Sequence, residues 1–175
     1  MNALRSERGF SLIEVLVSLF VLAIGLLGMA GLQATAQRAT ADGGNLGRAV
    51  RLAYDMADRL RQEVPASTNI ATFITESAAD NKTTDSSACY ASSGCTGTAS
   101  ARADVAEWQR LLQTLPGGQG IVCRDASPYD GSGTADAQCT AGAADPLVIK
   151  VWWQALDASQ ASGASTQRIV TIVGL

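Results

Sequence analysis

The residues able to carry chemistry in this sequence are few and of an unusual kind. One glutamate, Glu14, stands inside a long apolar run; four cysteines, Cys89, Cys95, Cys123 and Cys139, all lie in the second half; and three aspartates, Asp125, Asp130 and Asp136, flank Ser127, Gly131, Ser132 and Gly133. There is no histidine. That removes the commonest general base, every Ser-His or Cys-His nucleophile pair and most zinc sites. The aspartates offer hard oxygen donors of the type calcium takes, but their spacing does not match the twelve-residue helix-loop-helix pattern, and a solvated acidic loop is the simpler reading. Paired carboxylates for glycoside hydrolysis would need a pocket that a sequence does not display. No catalytic residue, metal or cofactor is expected.

The cysteines point to a compartment. An even number of them fits an oxidising environment. Five residues intervene between the first two and fifteen between the last two, not the tight pairs of a zinc site. Three pairings are open to four cysteines; the sequence-local ones, Cys89–Cys95 and Cys123–Cys139, are the expectation. The second would close a loop worth about 3 kcal/mol in the chain-entropy model. The charge balance agrees with export rather than with nucleic-acid binding. Thirteen Lys+Arg against sixteen Asp+Glu give −3, with only Lys82 and Lys150 as lysines, so no phosphate backbone is an expected partner. Charged residues are only 17%, fewer than an ordinary cytosolic enzyme carries.

Residues 10–32 supply the route out of the cytoplasm. They read FSLIEVLVSLFVLAIGLLGMAGL, apolar except for Ser11, Glu14 and Ser18. As a helix they span about 34 Å, enough for a hydrocarbon core of about 30 Å. Arg5 and Arg8 precede them and hold the short N-terminal end on the cytoplasmic side. A secretory signal cut after Ala34-Thr35-Ala36 and a permanent single-span anchor both leave Glu14 unexplained, although an acid in an apolar span costs up to about 2.5–3.5 kcal/mol at its centre. A cut between Gly9 and Phe10 explains it. The new α-amino group then heads the apolar segment four residues before Glu14, available to that carboxylate or to one on a neighbouring helix. In a low-dielectric bundle such a pair sets axial register, because a mismatched neighbour leaves a charge buried.

The run Arg8-Gly9-Phe10-Ser11-Leu12-Ile13-Glu14-Val15-Leu16 resembles the class III signal of type IV pilins and type II secretion pseudopilins. The resemblance implies a prepilin peptidase that cuts after Gly9 and N-methylates Phe10, and a Glu14 that pairs with a neighbour's N-terminus during assembly. It covers the first 32 residues.

The elements that must position these residues follow from periodicity. Leu46, Val50, Ala53, Ala57, Leu60 and Val64 form the stripe of an amphipathic helix, with Arg51, Asp55 and Arg59 as an i,i+4 ladder on its other face. One helix of roughly 80 Å from Phe10 to about Glu63 is predicted, half in the membrane and half on a head. Gly25, Gly28 and Gly31 share one side of it, where neighbours could approach; the chain lacks the helix-breaking proline that major pilins often carry near Gly31. Gly43-Gly44 is an expected kink and Pro65 the stop. Residues 66–100, rich in Ala, Ser and Thr, read as a long surface loop around the small cysteine loop. A short helix follows over Asp104–Leu115, then strands over Gly120–Arg124, Leu147–Gln154 and Gln167–Val173, the last two joined by a hairpin connection over Ala158–Ser165. In the middle strand Leu147, Ile149, Val151 and Trp153 alternate with Val148, Lys150 and Trp152, so one side should be buried: Trp153 in the core, Trp152 facing a neighbouring subunit.

The expected fold is therefore α+β and type IV pilin-like, a long N-terminal helix packed on a small antiparallel sheet. Its organisation is a leader (1–9), a transmembrane and polymerisation helix (10–32), the amphipathic continuation (33–64), a loop and short helix (65–118) and a sheet with a stapled loop (119–175). The order Asp104-Val105-Ala106-Glu107-Trp108, Leu115-Pro116-Gly117-Gly118 and Ile121-Val122-Cys123-Arg124, with Cys139, Val151-Trp152-Trp153 and Ile24-Gly25-Leu26-Leu27-Gly28-Met29, resembles the PilV family of minor pilins. That resemblance implies a structural subunit, not an enzyme, that primes pilus assembly in the bacterial inner membrane, sits near the tip and supports adhesion and twitching motility. The partners implied are other minor pilins, the major pilin, the prepilin peptidase and the inner-membrane assembly platform, with the head periplasmic until it is displayed on the pilus. A type II secretion pseudopilin, or an exported binding domain on a membrane anchor, is the alternative.

Overall fold

A computed structural model describes residues 9–63, 67–78, 87–156 and 164–174. In chain order the elements are helices α1 (Leu12–Glu63), α2 (Ser67–Ala78), a 3-10 turn (Ser87–Tyr90) and α3 (Thr98–Leu112), then strands β1 (Gln119–Arg124), β2 (Leu147–Leu156) and β3 (Ala164–Val173). The chain divides into two compact units, Met1–Ala41 and Asp42–Leu175. The expected α+β fold, a long N-terminal helix and a small antiparallel sheet, is the one observed. The leader residues 1–8, with Arg5 and Arg8, lie outside the described residues, as do Val64, Pro65 and most of the expected 158–165 connection.

In the first unit every described residue is exposed. Its apolar side chains meet no core of their own, so they require a surrounding that is itself apolar. α1 continues through Gly43-Gly44 with no break in its helix, so the glycine pair does not interrupt it; the boundary between the units falls just ahead, at Ala41/Asp42.

The second unit has its own core. From α1 it takes Ala49, Ala53, Met56, Ala57 and Leu60, all fully buried. The predicted stripe is thus shifted: Leu46 is exposed and Val50 half-buried, while Ala49 and Met56 enter the core. α3 contributes Ala101, Val105, Trp108 and Leu112, and the facing side of the sheet Val122, Leu147, Ile149, Val151, Trp153 and Val173. Trp108 Nε1 donates to the Leu52 carbonyl at 2.9 Å, so the largest core side chain also fixes α3 against the soluble stretch of α1. A Cβ at Gly120 would lie 2.5 Å from the Trp108 ring and 2.6 Å from Leu112 Cδ1; only glycine lets β1 lie this close under α3.

The sheet is an antiparallel meander in the order β1-β2-β3, with register Val122↔Ile149 and Ile149↔Thr171. Here the expectation of one buried side fails. The β1–β2 connection, residues 125–146, folds back over the second face, where Ile121, Cys123, Ala137, Val148 and Trp152 form a smaller cluster. Trp152 is 2% exposed, so it fills this cluster and does not face a neighbouring subunit.

Residues 66–100 also differ from the loop expected there. Helix α2 occupies Ser67–Ala78, and α3 starts at Thr98, six residues ahead of Asp104, and ends at Leu112. Ile70, Phe73, Ile74 and Ser77 recur at helical spacing and face the core or β1. The stripe is only four residues wide in a background of Ala, Ser and Thr, which concealed it.

Candidate assembly segment and the staples of the head

At the N-terminal end, Gly9, Phe10 and Ser11 precede the helix, and the Ser11 carbonyl accepts from the amides of Glu14 (3.0 Å) and Val15 (3.3 Å). Phe10 is 83% exposed and Glu14 is exposed in the first turn. A carboxylate there is favoured by the positive end of the helix dipole, but that interaction alone does not neutralise it. Three hydroxyls of this stretch are satisfied locally: Ser18 Oγ donates to the Val15 carbonyl at 2.8 Å, and Thr35 and Thr40 bond the carbonyls four residues back. Gly9 and Phe10 thus lie just outside the helix, and Glu14 is its third residue. α1 is the one described helix long and apolar enough to cross a membrane.

The head is fastened in five places. Disulfides join Cys89 to Cys95 and Cys123 to Cys139. The second ties the end of β1 to the connection that covers the sheet's second face. Under that cover lies Lys150, fully buried, with Nζ 2.5 Å from Asp125 Oδ2, 2.8 Å from Asp130 Oδ1 and 2.8 Å from the Ala137 carbonyl. Burial pushes the Asp125 carboxyl up, but the Lys150 hydrogen bond, the Ser127 amide and the Lys150 charge outweigh it and leave it below the ordinary carboxylate value. Asp130 is also held low, first by its hydrogen bond from Lys150 and then by the Ser127 hydroxyl.

These contacts revise the reading of the three aspartates. Asp125 is fully buried rather than solvated, and the ammonium of Lys150 stands where a cation between Asp125 and Asp130 would have to be. Asp136 is engaged separately, accepting from Ser132 Oγ at 2.8 Å. Asp125 also lies near both sulfurs of Cys123–Cys139, but the disulfide leaves no thiolate to bind a metal. The sequence carried one overlooked signal: a single lysine at a strand position flanked by Ile149, Val151, Trp152 and Trp153 is a buried charge that needs acids nearby.

Two further fastenings join helices to their neighbours. Arg59 reaches Asp55 (3.0 Å) on its own helix and Asp104 (2.8 Å) and Glu107 (3.2 Å) on α3. Burial lowers its pKa, but the three carboxylates more than reverse that and hold it above the ordinary value. The expected i,i+4 ladder is thus half of a bridge between helices, while Arg51 bonds the Gly47 carbonyl. Finally, Ser77 Oγ accepts from the Val122 amide at 3.0 Å and donates to the Val122 carbonyl at 3.1 Å, docking α2 on the outer edge of β1.

Residues 4–30 match the model of the prokaryotic N-terminal methylation motif, and residues 31–106 match the model of type IV pilin Tt1218 and proteins like it. The two matches adjoin, spanning the N-terminal helix, α2 and the first half of α3. No curated protein and no solved structure matches the chain. By these matches, and by a long apolar N-terminal helix followed by a three-stranded antiparallel head, the chain is similar to the type IV pilins over residues 31–106 and to the prepilin N-methylation motif over residues 4–30.

Proposed function

We propose that this chain is a minor subunit of the type IV pilus of the PilV kind, a structural protein that primes filament assembly and enters the pilus at or near its tip. In this reading prepilin peptidase cuts between Gly9 and Phe10 and methylates the new amine, and residues 10–32 hold the subunit in the bacterial inner membrane with its head in the periplasm. Glu14 then meets the Phe10 amine of a neighbouring subunit, setting axial register as the helix leaves the bilayer for the filament. The other minor pilins, the major pilin and the inner-membrane assembly platform are its partners, and adhesion and twitching motility are the outputs.

The observation that carries the reading is Glu14 itself, an exposed carboxylate in the first turn of a helix whose described surroundings are otherwise apolar, four residues after Phe10. An uncompensated acid at that depth is unfavourable, and the N-terminus released by the cut is the nearest source of compensation. The minor-pilin part rests on the likeness of residues 104–153 to the PilV pattern.

The intact mass and N-terminal sequence of membrane-extracted protein, from cells with and without prepilin peptidase, test the processing. The expected product is an N-methylated chain beginning at Phe10 only where the peptidase is present. A chain beginning at Gln37 would make this an ordinary secreted domain, and an uncut Met1 a static anchor. Glu14→Ala is expected to insert normally and yet reduce or abolish piliation; unchanged piliation would remove the register role. Loss of type II secretion in place of pili would assign the subunit to the pseudopilins.

A further inference from the structure

The two outer edges of the sheet are finished differently. On β1, Ser77 closes both backbone groups of Val122, and the Ala141 amide donates to the Arg124 carbonyl at 3.0 Å. These contacts also fix the phase of the whole sheet. Because Val122 turns its N–H and C=O outward, its partner Ile149 turns its own toward β3, and Thr171 opposite Ile149 turns inward. By strand alternation the backbone groups of Thr166, Arg168, Val170 and Ile172 then point away from β2. The β2–β3 register runs from Leu156↔Ala164 to Leu147↔Val173 without a bulge. Among the described residues, no hydrogen bond reaches those outward groups.

Natural edge strands are blunted by proline, lysine, bulges or a covering element. β3, ASTQRIVTIV, has no proline, lysine or acid. Its single charge, Arg168, donates to the carbonyls of Tyr129 and Gly131 on the β1–β2 connection, so the guanidinium is committed to holding that cover and does not guard the edge.

We propose that the β3 edge is an interaction surface that takes the β3 strand of a second copy of this chain, antiparallel and centred on Ile169. Only an extended backbone offers donors and acceptors at the two-residue repeat that these groups present. The choice of a second copy follows from the sequence of β3, which is complementary to itself. Outward residues must pair with outward residues, which confines the two registers nearest the strand's midpoint to centres at Arg168 or Ile169. The first places Arg168 directly opposite Arg168, a destabilising like-charge pair. The second pairs Ile169 with Ile169, Arg168 with Val170, Gln167 with Thr171 and Thr166 with Ile172, with no like charges opposed. This surface does not depend on the minor-pilin reading.

The test uses the full-length protein in detergent micelles. In the Gln167→Cys/Thr171→Cys variant, position 167 of one copy faces 171 of the other across a non-hydrogen-bonded pair, about 4.5 Å between Cα atoms, within disulfide reach. Along one strand the same positions are about 13 Å apart and do not bridge. Oxidation is expected to give a covalent dimer carrying the 167–171 bond. Equal cross-linking in the single-cysteine variants Gln167→Cys and Thr171→Cys, whose cysteines face no cysteine in this register, or none in any of the three, overturns the register. The unsubstituted chain supplies a second readout by amide hydrogen exchange. Protection of Arg168, Val170 and Ile172 is expected to rise at least tenfold with protein concentration, while Ile169 and Thr171 stay unchanged. Open-edge exchange at every concentration, or protection that appears only when another pilin is added, overturns the second copy as occupant.

Discussion

Lys150 Nζ lies 2.5 Å from Asp125 Oδ2, with neither side chain exposed to solvent, on the face of the sheet turned away from the helices. A lysine in that position has no water to solvate it, so the connection that supplies Asp125, Asp130 and the Ala137 carbonyl is a structural requirement of β2. The ion pair and the fold of residues 125–146 are one feature.

Removing one partner should therefore cost far more than removing both. Lys150→Met leaves Asp125 buried without its counter-charge and is expected to destabilise the head by about 3–5 kcal/mol. Lys150→Met combined with Asp125→Leu should recover most of that loss. Urea unfolding followed by tryptophan fluorescence measures both. A double variant as unstable as the single one would show that the pair is more than charge compensation.

Acid sensitivity follows from the same pair. Both carboxyls are held below their ordinary value in the folded head, so their contribution is fully present above an unfolded-state pKa of about 3.9 and is lost as pH falls through the lower folded values. Stability should be level from pH 7 to about 5 and decline below about 4. Asp125→Asn should flatten the decline at the cost of lower stability throughout. Thermal melts across this range test it, and a loss of stability between pH 7 and 5 would place the controlling group elsewhere.

Ser77 makes a different kind of prediction, since its hydroxyl is the partner of two backbone groups at once. Ser77→Ala removes little volume but leaves the Val122 amide and carbonyl without partners, at roughly 1–3 kcal/mol for each group left buried. Faster exchange of the Val122 amide should accompany the loss. A neutral substitution with unchanged exchange would mean that water takes the place of the hydroxyl.

The disulfides are expected to contribute unequally. Cys123–Cys139 encloses fifteen residues and Cys89–Cys95 only five, so Cys123→Ser should cost about 3 kcal/mol and Cys89→Ser less. Melting with and without reductant, variant by variant, reads the difference. Identical melting under both conditions would show that neither bond constrains the unfolded chain.

How much of this was legible in the sequence depended on how regular each signal was. The apolar run, the amphipathic continuation of α1 and the three strands announced themselves through length and period, and their ends moved by only a few residues. Helix α2 did not, because its inward stripe of Phe73 with the partly buried Ile70 and Ile74 is narrow and its remaining positions are Ala, Ser, Thr, Asn and Glu. The second buried face of the sheet was missed for another reason. Alternation says that two faces differ, not that one is wet, and the cover over Val148, Lys150 and Trp152 comes from a polar connection whose sequence resembles any surface loop. The contacts of Arg59 with α3 and of Ser77 with β1 span 45 residues or more, beyond what local spacing encodes.

The Cys123–Cys139 bond also bears on what happens under load. In the filament role proposed above, the subunit would bear tension, and the length a chain yields when it unravels is set by the residues free to straighten. The fifteen residues inside this bond are withheld from that extension, roughly 50 Å of hidden length at full stretch. Tension entering along β1 is passed through sulfur to Cys139 rather than around the 124–138 loop. With the bond intact, the head can lose its hydrogen bonds to force and still keep that loop short.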